Sequence, residues 1–159
     1  MKIIKELIPY VVIIIVVVLI RTYIVTPVRV DGPSMNPTLQ NGQILLLNKT
    51  NKKYKRMDVV VFQYGDERLI KRVIGLPGES VLISDNTLFI NGKEIEDYRP
   101  DVETANFKYD EVIPEGYYFV LGDNRYNSSD SRVFGLVSEE DIKGTASIRI
   151  FPFTKIGKI

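Results

Sequence analysis

An uncharged run near the amino terminus constrains this chain more than any other feature. Residues 7–20 contain no charged side chain and are rich in Ile and Val. Extended to Val25, the run has 19 residues, or about 28 Å of α-helix, which is close to the roughly 30 Å hydrocarbon core of a bilayer. Arg21 lies near one end, where its long side chain can reach the interface. The sequence therefore predicts one membrane-spanning helix over residues 7–25, with the lipid bilayer as a partner.

A cleaved secretion signal is the main alternative for this segment, because it would share the basic start at Lys2 and Lys5. The run is longer than the apolar region of a signal peptide, however, and no small-x-small cleavage site follows it. Charge does not settle the orientation, since Lys2 and Lys5 on one side face Arg21 and Arg29 on the other.

Composition excludes several kinds of active site. The chain has no His and no Cys, which rules out a Ser-His-Asp triad, a Cys-His dyad and any metal site built on His or Cys. We expect no metal and no cofactor. If a serine acts as nucleophile in this chain, we expect a lysine to serve as its base.

The charge balance gives no indication of a nucleic-acid partner. Of 21 basic and 20 acidic residues, three basic and one acidic lie in residues 1–25, so the remainder carries 18 and 19. This near balance lacks the basic excess of nucleic-acid binders. At 159 residues, the chain has room for one domain beyond the helix, which we place at residues 26–159.

Short aliphatic and β-branched runs after Pro27, separated by Gly, Pro, Asn and Asp, are typical of strands. Turn pairs at Asp85-Asn86 and Asn91-Gly92 predict a three-stranded meander over residues 79–95. Residues 96–110 show little pattern, and Ser138 to Asp141 suggests a short capped helical turn. The fold class predicted is mainly β, mostly antiparallel, on one transmembrane helix. The predicted strands are Gln43 to Asn48, Asp58 to Tyr64, Arg68 to Ile74, Glu79 to Ser84, Thr87 to Ile90, Tyr117 to Leu121 and Lys143 to Phe151.

Ser34 is a candidate nucleophile because of its neighbours. Pro33 and Pro37 stiffen the chain on either side, and Gly32 lets another backbone come close. Such a setting fixes an exposed hydroxyl at low entropic cost. The alternative is an ordinary turn or capping serine.

Lys71 is a candidate base because it lies within an apolar strand. Alternation places it on the same face as Leu69 and Val73, so it is desolvated if that face is buried. A free lysine must lose about 3 pKa units to act near neutral pH, and burial supplies shifts of roughly 3–5 units. The alternatives are a solvated surface lysine or an ion pair with Asp58 or Asp130.

Residues 122–132, Gly-Asp-Asn-Arg-Tyr-Asn-Ser-Ser-Asp-Ser-Arg, are more polar than a plain loop needs. A calcium loop starting at Asp123 would put Ser128 where Gly is required and Phe134 where the bidentate Glu belongs. A loop of self-capped Asx and Ser turns is a further alternative. A functional role would have a hydroxyl such as Ser128 orient a nearby base.

These segments together resemble bacterial type I signal peptidases, in particular the small Gram-positive forms with one amino-terminal anchor. The resemblance rests on four motifs in family order along nearly the whole chain: Gly-x-Ser-Met-x-Pro-Thr-Leu at 32–39, Asp-Val-Val-Val-Phe at 58–62, Lys-Arg-Val-Ile-Gly-Leu-Pro-Gly-Glu at 71–79, and residues 122–132. One departure is Met57, where the family more often has glycine. The absence of His also argues against the endoplasmic-reticulum type.

The resemblance implies a β-rich Ser-Lys protease fold and a role for each matching residue. Ser34 would be the nucleophile, Lys71 the general base and Ser128 the hydroxyl that orients the lysine. Asp130 and Arg132 would form a supporting salt bridge. The Ser34 backbone N–H would contribute to the oxyanion hole, while Gly32 replaces a serine that adds a second donor in some relatives.

The resemblance also implies a membrane-anchored serine endopeptidase that removes signal peptides from exported preproteins through an acyl-enzyme. Its domain would be extracytoplasmic, with residues 1–6 cytoplasmic. The substrate would add as a strand along residues 30–32 and beside residues 69–71, with pockets for small side chains. The expected substrate-binding residues are Val30, Asp31, Gly32, Met35, Leu39, Leu69 and Ile70.

Two other functions fit parts of the chain. A non-catalytic anchored assembly or chaperone module on the same fold would be expected to have lost Ser34 or Lys71, and both are present. A soluble self-cleaving repressor-type Ser-Lys protease would have no use for the apolar amino-terminal segment.

Overall fold

The computed structural model describes residues 2–99 and 101–159. Its first element is helix α1 (Lys2–Tyr23), which projects from the rest of the chain. The large apolar side chains between Leu7 and Ile20 are 43 to 65% exposed, and burying such a surface in a bilayer is strongly favourable. The helix ends two residues earlier than predicted, because Val25 already begins a strand.

The junction between helix and domain is held by hydrogen bonds to the last helical turn. The carbonyl groups at a helix carboxyl end lack partners within the helix. Here Lys49 Nζ donates to the carbonyl oxygens of Arg21 and Thr22 at 3.1 and 3.2 Å, and Thr26 Oγ1 donates to that of Arg21 at 3.2 Å. These hydrogen bonds therefore hold the carboxyl end of α1 against the β-sheet domain.

Antiparallel strands make up most of the domain, as predicted. In the described residues, eight strands form the larger sheet in the order β1-β2-β11-β3-β4-β9-β10, with β12 paired to β11, and four form the smaller sheet in the order β7-β6-β5-β8. The strands are β1 (Val25–Arg29), β2 (Ile44–Asn48), β3 (Val59–Tyr64), β4 (Glu67–Gly75), β5 (Val81–Ser84), β6 (Thr87–Ile90), β7 (Lys93–Ile95), β8 (Phe107–Lys108), β9 (Tyr117–Leu121), β10 (Val137–Ser138), β11 (Ile142–Phe151) and β12 (Gly157–Lys158).

The predicted meander is present as β5, β6 and β7. Its first turn is made by Asp85 and Asn86, with φ angles of 49° and 65°, and its second by Asn91 and Gly92, with φ angles of 51° and 73°. Positive φ at both central residues is the backbone of a type I′ turn, which matches the twist of paired strands.

The structure differs from the sequence-based expectations at two places and contains one element that was not predicted. Ser138 to Asp141 is not a helical turn, because Ser138 pairs with Tyr117 across β10 and β9 and a tight turn follows. Residues 96–110 are not patternless, since β8 pairs with β5. The short helix α2 (Ser131–Phe134) was not predicted and is capped by the Asp130 carboxylate, which accepts from the Arg132 N–H.

Strand β4 lies at the centre of the fold and contributes to every core cluster. Ile70 packs in the cluster with Leu45 and Val61. Leu69 and Val73 pack together in a second cluster, as the predicted alternation requires. Ile74 belongs to a third cluster beneath the smaller sheet. A lysine in this strand is therefore surrounded by apolar side chains.

Candidate active site

The loop that carries Ser34 is wound tightly between β1 and β2. Asn36 N–H donates to the Pro33 carbonyl and Leu39 N–H donates to that of Met35, both at 2.9 Å. Met35 and Leu39 are buried in the core cluster around Leu45. These two side chains anchor the loop, so the Ser34 hydroxyl is held by packing on both sides of the turn.

Asn124 fixes the same loop from a distant part of the sequence. Its backbone N–H donates to the Ser34 carbonyl at 2.9 Å, and its Nδ2 donates to the Pro33 carbonyl at 3.2 Å. Asn124 is not singled out by the sequence. The polarity of residues 122–132 was the only signal for it, and that signal did not distinguish among the polar side chains.

Lys71 meets Ser34 inside the protein. Its Nζ lies 2.7 Å from Ser34 Oγ, and the residue is only 2% exposed. The ion pairs considered from sequence do not form among the described residues, because Asp130 pairs with Arg132 and the Asp58 carboxylate accepts from the Lys55 N–H. Lys71 is therefore neither a surface lysine nor half of a salt bridge.

Burial makes Lys71 a much weaker base than a free lysine. Desolvation lowers the pKa of Lys71 from 10.5 to about 8, although the carboxylates of Asp130 and Asp123 oppose the change. Taking an ammonium out of water without a close counter-ion disfavours its charged form. Near neutral pH an appreciable fraction of Lys71 is the free amine, which is the form that can accept a proton.

Ser128 lies beside the pair but is not bonded to Lys71. Its Oγ is buried and has no hydrogen-bond partner in the described part of the chain. Gly122 lies between Ser128 and the nucleophile loop: a Cβ there would be 2.1 Å from Ser128 Oγ and 2.6 Å from the Ser34 carbonyl oxygen. Glycine at this position is thus required for the loop and Ser128 to approach each other.

Two buried ion pairs frame the site. Arg72 binds Asp123 through two hydrogen bonds of 2.9 and 2.7 Å, and Arg132 binds Asp130 through two of 2.8 and 2.9 Å. Asp130 also accepts the Gly122 N–H at 3.0 Å. Both carboxylates carry their own cation, so they hold residues 122–132 in place without neutralising Lys71.

Residues 96–110 pack against this frame, a contact that the sequence gave no means of predicting. Arg125 donates to the Asp97 carboxylate at 2.6 Å and to Thr104 Oγ1 at 3.0 Å. Arg99 Nη1 donates to the carbonyl oxygens of Asn36 and Asp123 at 3.4 and 3.3 Å. The segment therefore ties the nucleophile loop to residues 122–132.

A cleft of about 270 Å³ opens beside Ser34 between β1 and β4. The unpaired edge of β1 forms one wall, because β1 pairs only with β2 in the described sheet. Residues 67–71 of β4 form the other, since β4 pairs with β9 only from Arg72 onward. Both walls thus offer free backbone groups to an extended peptide.

The cleft gathers most of the residues predicted to bind substrate. Leu39 is the exception: it is wholly buried in the core and does not line the cleft. Four lining residues were missed, namely Pro27, Val28, Arg29 and Arg68. The predicted residues that do line it are Val30, Asp31, Gly32, Met35, Leu69 and Ile70.

Comparison with protein families gives one match that spans almost the whole chain. The family model described as "Signal peptidase, peptidase S26" matches residues 3–151. The chain belongs to the S26 signal peptidase family. The resemblance inferred from the four motifs is confirmed by this match, and so is the mainly β fold on an amino-terminal apolar helix.

Individual signal peptidases agree with this assignment over most of their length. Signal peptidase I of Bacillus licheniformis is 41% identical, over 91% of this chain and 87% of its own. Signal peptidase IB of Staphylococcus aureus is 35% identical, over 95% of this chain and 93% of its own. The crystal structure of a signal peptidase I from Enterococcus faecalis is 37% identical, with a TM-score of 0.56, and covers 60% of this chain and 98% of that one.

Membership of the signal peptidase family establishes the general activity. The chain is a serine peptidase, and the reaction of the family is the cleavage of signal peptides from preproteins. The apolar helix α1 is consistent with membrane anchoring, since residues 6–23 are long and apolar enough to cross a bilayer. A purely non-catalytic anchored module is therefore excluded as the function.

The departure at Met57 has a structural explanation. Met57 has a φ of 72°, in the left-handed region that glycine adopts without steric cost. Its N–H donates to the Val73 carbonyl at 2.8 Å and its own carbonyl accepts from Arg72 Nη1 at 2.8 Å. Glycine would adopt this backbone conformation without strain, and the two hydrogen bonds hold methionine in it.

Proposed function

We propose that this signal peptidase cleaves its substrates with Ser34 as nucleophile and Lys71 as general base, through an acyl-enzyme. The observation that supports the proposal is the 2.7 Å contact between Lys71 Nζ and Ser34 Oγ within an apolar strand. The distance is within the range for direct proton transfer. With the pKa of Lys71 at about 8, about one-tenth of the lysine is neutral at pH 7.

In the first half of the reaction the neutral amine of Lys71 accepts the Ser34 hydroxyl proton as Oγ attacks the scissile carbonyl carbon. Collapse of the tetrahedral intermediate breaks the C–N bond, and the proton passes from Lys71 to the leaving amine. The signal peptide is left as an ester on Ser34. In the second half Lys71 takes a proton from water and the resulting hydroxide attacks the ester carbonyl carbon. The bond between that carbon and Ser34 Oγ then breaks, Lys71 returns its proton to Oγ, and the signal peptide leaves with a free carboxyl group.

The developing negative charge on the substrate oxygen is stabilised by the Ser34 backbone N–H. In the described residues this N–H donates to no protein acceptor, which leaves it free for an oxyanion. Gly32 offers no side-chain donor, and its own N–H points to Asn41 Oδ1 at 3.3 Å. A second donor must therefore come from another backbone group or from water.

Ser128 acts as the group that positions Lys71 during turnover. Its buried hydroxyl lies across Gly122 from the Ser34 loop and has no partner among the described residues, and leaving a buried hydroxyl unsatisfied is costly. Protonated Lys71 has donors to spare after bonding Ser34, so Ser128 is a ready acceptor at that stage. Asp130 and Arg132 keep Ser128 and Gly122 in place and take no part in the chemistry.

The substrate binds as an added strand between β1 and β4. Side chains of an extended peptide alternate in direction, so the residue at the cleaved bond and the one two before it point into the cleft. The cleft volume of about 270 Å³ and its wall of Val30, Met35 and Ile70 suit small side chains. The side chain of the residue between these two points to solvent, so a large side chain is tolerated there.

We further propose a single-pass topology with the catalytic domain outside the cytoplasm. Signal peptides become accessible to cleavage only after translocation, so residues 26–159 lie on the exit side of the membrane. Residues 1–6 then lie in the cytoplasm and residues 7–23 span the bilayer. The orientation follows from the substrate rather than from flanking charges, which are nearly equal on the two sides.

The test compares two variants of the full chain in detergent, each with a matched control. Ser34→Ala and Lys71→Arg should remain folded and lose at least about a thousandfold in turnover of a synthetic signal-peptide substrate. Arginine keeps the charge but stays protonated at any working pH. The controls Ser147→Ala and Lys55→Arg change the same residue types at exposed positions and should match wild type.

The acyl-enzyme is sought by quenching the reaction in acid and measuring the intact mass. The expected result is an adduct equal to the amino-terminal product minus water, absent from Ser34→Ala. Substantial turnover by a folded Lys71→Arg protein would show that the lysine is structural, and the proposed mechanism would then be wrong.

A further inference from the structure

A second cavity, of about 460 Å³, lies where helix α1 meets the larger sheet. Thr22 and Tyr23 of the helix form one side, and residues of β1, β2, β3, β4 and β11 and of the loops at Lys49, Lys52 and Glu140 form the others. It shares Val28 and Arg68 with the substrate cleft. Neither Ser34 nor Lys71 lines it, so the proposed catalytic mechanism assigns it no role.

The charged side chains that line this cavity are mostly cationic. Its lining contains four cationic side chains, of Lys49, Lys52, Arg68 and Lys143, and one acidic side chain, of Glu140. The whole chain has a formal net charge of only +1. In the described residues none of the four cations lies in a salt bridge, although six such pairs form elsewhere. Uncompensated like charges of this kind favour an anionic ligand.

The floor of the cavity is apolar. Leu47, Val61 and Ile142 line it from below and are almost fully buried in the sheet. Tyr23 stands at its edge and is 68% exposed. A cationic rim above an apolar floor suits an amphiphile, which places a charged group among the lysines and its apolar part against the hydrocarbon side chains.

The position of the cavity identifies the amphiphile. Helix α1 has the length and composition to span the hydrocarbon layer, so its end at Tyr23 lies at the depth of the headgroups. Lys49 fixes that end against β2 by donating to two helix carbonyls. The cationic rim is therefore held where phospholipid phosphates are.

We propose that this cavity binds the headgroup of an anionic phospholipid, with its phosphate among Lys49, Lys52, Arg68 and Lys143. A zwitterionic lipid carries a phosphate too, but its quaternary ammonium meets the same cations and is disfavoured. Bound lipid would brace the junction between α1 and the sheet beside the substrate cleft. The inference uses membrane anchoring and does not depend on the identity of the nucleophile or base.

The test measures lipid retention by the full chain with native mass spectrometry, after incubation in detergent with equal amounts of phosphatidylglycerol and phosphatidylcholine. The test variant is Lys52→Gln/Lys143→Gln, in which both side chains are exposed. The control is Lys93→Gln/Lys108→Gln, which removes the same charge from the smaller sheet. Basic residues near a membrane surface contribute about fivefold each, so the test variant should retain roughly 25-fold less phosphatidylglycerol.

Wild type and control should prefer phosphatidylglycerol over phosphatidylcholine, and all three proteins should cleave a soluble peptide equally. The proposal is overturned if wild type shows no headgroup preference, or if the control loses retention as fully as the test variant. It is also overturned if millimolar inorganic phosphate or an acidic peptide displaces the lipid completely, since the site would then recognise a soluble anion. The soluble-peptide assay reports the Ser-Lys mechanism separately, so a failure of one proposal is distinguishable from a failure of the other.

Discussion

Replacing Lys71 with methionine should stabilise the protein at low pH while destroying its activity. Methionine has a similar length and carries no charge, so it removes the cost of holding an ammonium in an apolar strand. The pKa of Lys71 is lowered by burial from 10.5 to about 8. This difference corresponds to about 3 kcal/mol between the charged and neutral forms.

The sign follows from proton linkage. Between pH 8 and 10.5 the unfolded chain holds a proton on Lys71 that the folded protein has released, so wild-type stability rises with pH over this interval. Below pH 8 Lys71 is protonated in both the folded and the unfolded protein, so the full free-energy cost of burying its ammonium lowers wild-type stability. The stability of Lys71→Met relative to wild type should therefore be greatest near pH 6 and fall by about 2.5 kcal/mol by pH 10.

The assay is urea denaturation of both proteins at a series of pH values, with Lys55→Met as a control. Lys55 is exposed, so its substitution controls for the loss of a lysine side chain at the surface. In parallel, the wild-type kcat/KM should rise tenfold per pH unit from pH 6 and level off near pH 8. A stability difference constant within about 0.5 kcal/mol across the range, or an activity profile flat from pH 6 to 9, would refute the assignment of a buried, weakly basic lysine.

Other predictions concern the groups around the dyad. Ser128→Ala should leave stability unchanged or slightly raised, because its hydroxyl has no partner, while kcat/KM falls roughly 10–100-fold and its pH profile shifts; unchanged kinetics would remove Ser128 from the mechanism. Gly122→Ala should lower activity at least about 100-fold by forcing Ser128 and Ser34 apart, whereas Gly157→Ala, with open space around it, should not. Burial acts to raise the pKa of Asp97, but the hydrogen bond and charge of Arg125, together with the backbone N–H groups of Arg99 and Tyr98, outweigh burial and lower it. Asp97→Asn should therefore cost about 3 kcal/mol at pH 7, measured by urea denaturation, and the loss should shrink as pH falls from the ordinary carboxyl pKa through the lowered one; a loss of equal size at pH 7 and at pH 2 would contradict this.

The strands and the dyad could be predicted because their signals are local. β6 and β9 begin and end where the aliphatic runs do, and the type I′ turns follow from Asp-Asn and Asn-Gly pairs. Ser34 and Lys71 each lie in a short motif, so the sequence brings them to attention separately. The contact between them depends on the tertiary structure and cannot be predicted from either motif alone.

What could not be predicted depends on partners distant in sequence. The pairing of Asp97 with Arg125 and the bonds from Arg99 to the nucleophile loop join residues with no common pattern. Ser138 has the local signals of a helix cap, but pairing with Tyr117 prevails over them. Likewise the apolar run gives no sign that Val25 leaves the helix, because a β-branched residue suits both the bilayer and a strand.

Because α1 passes directly into β1, the distance between the membrane and the substrate cleft is fixed. Only Ile24 separates Tyr23, the last helical residue, from Val25, and the cleft wall begins at Pro27. Four residues of extended chain reach about 13 Å, and β1 has no slack because its whole length is paired with β2. The cleft therefore binds the scissile bond at one fixed height above the hydrocarbon layer. We therefore expect substrates to be selected by the distance between their own apolar segment and the cleavable bond, as well as by the side chains that flank that bond.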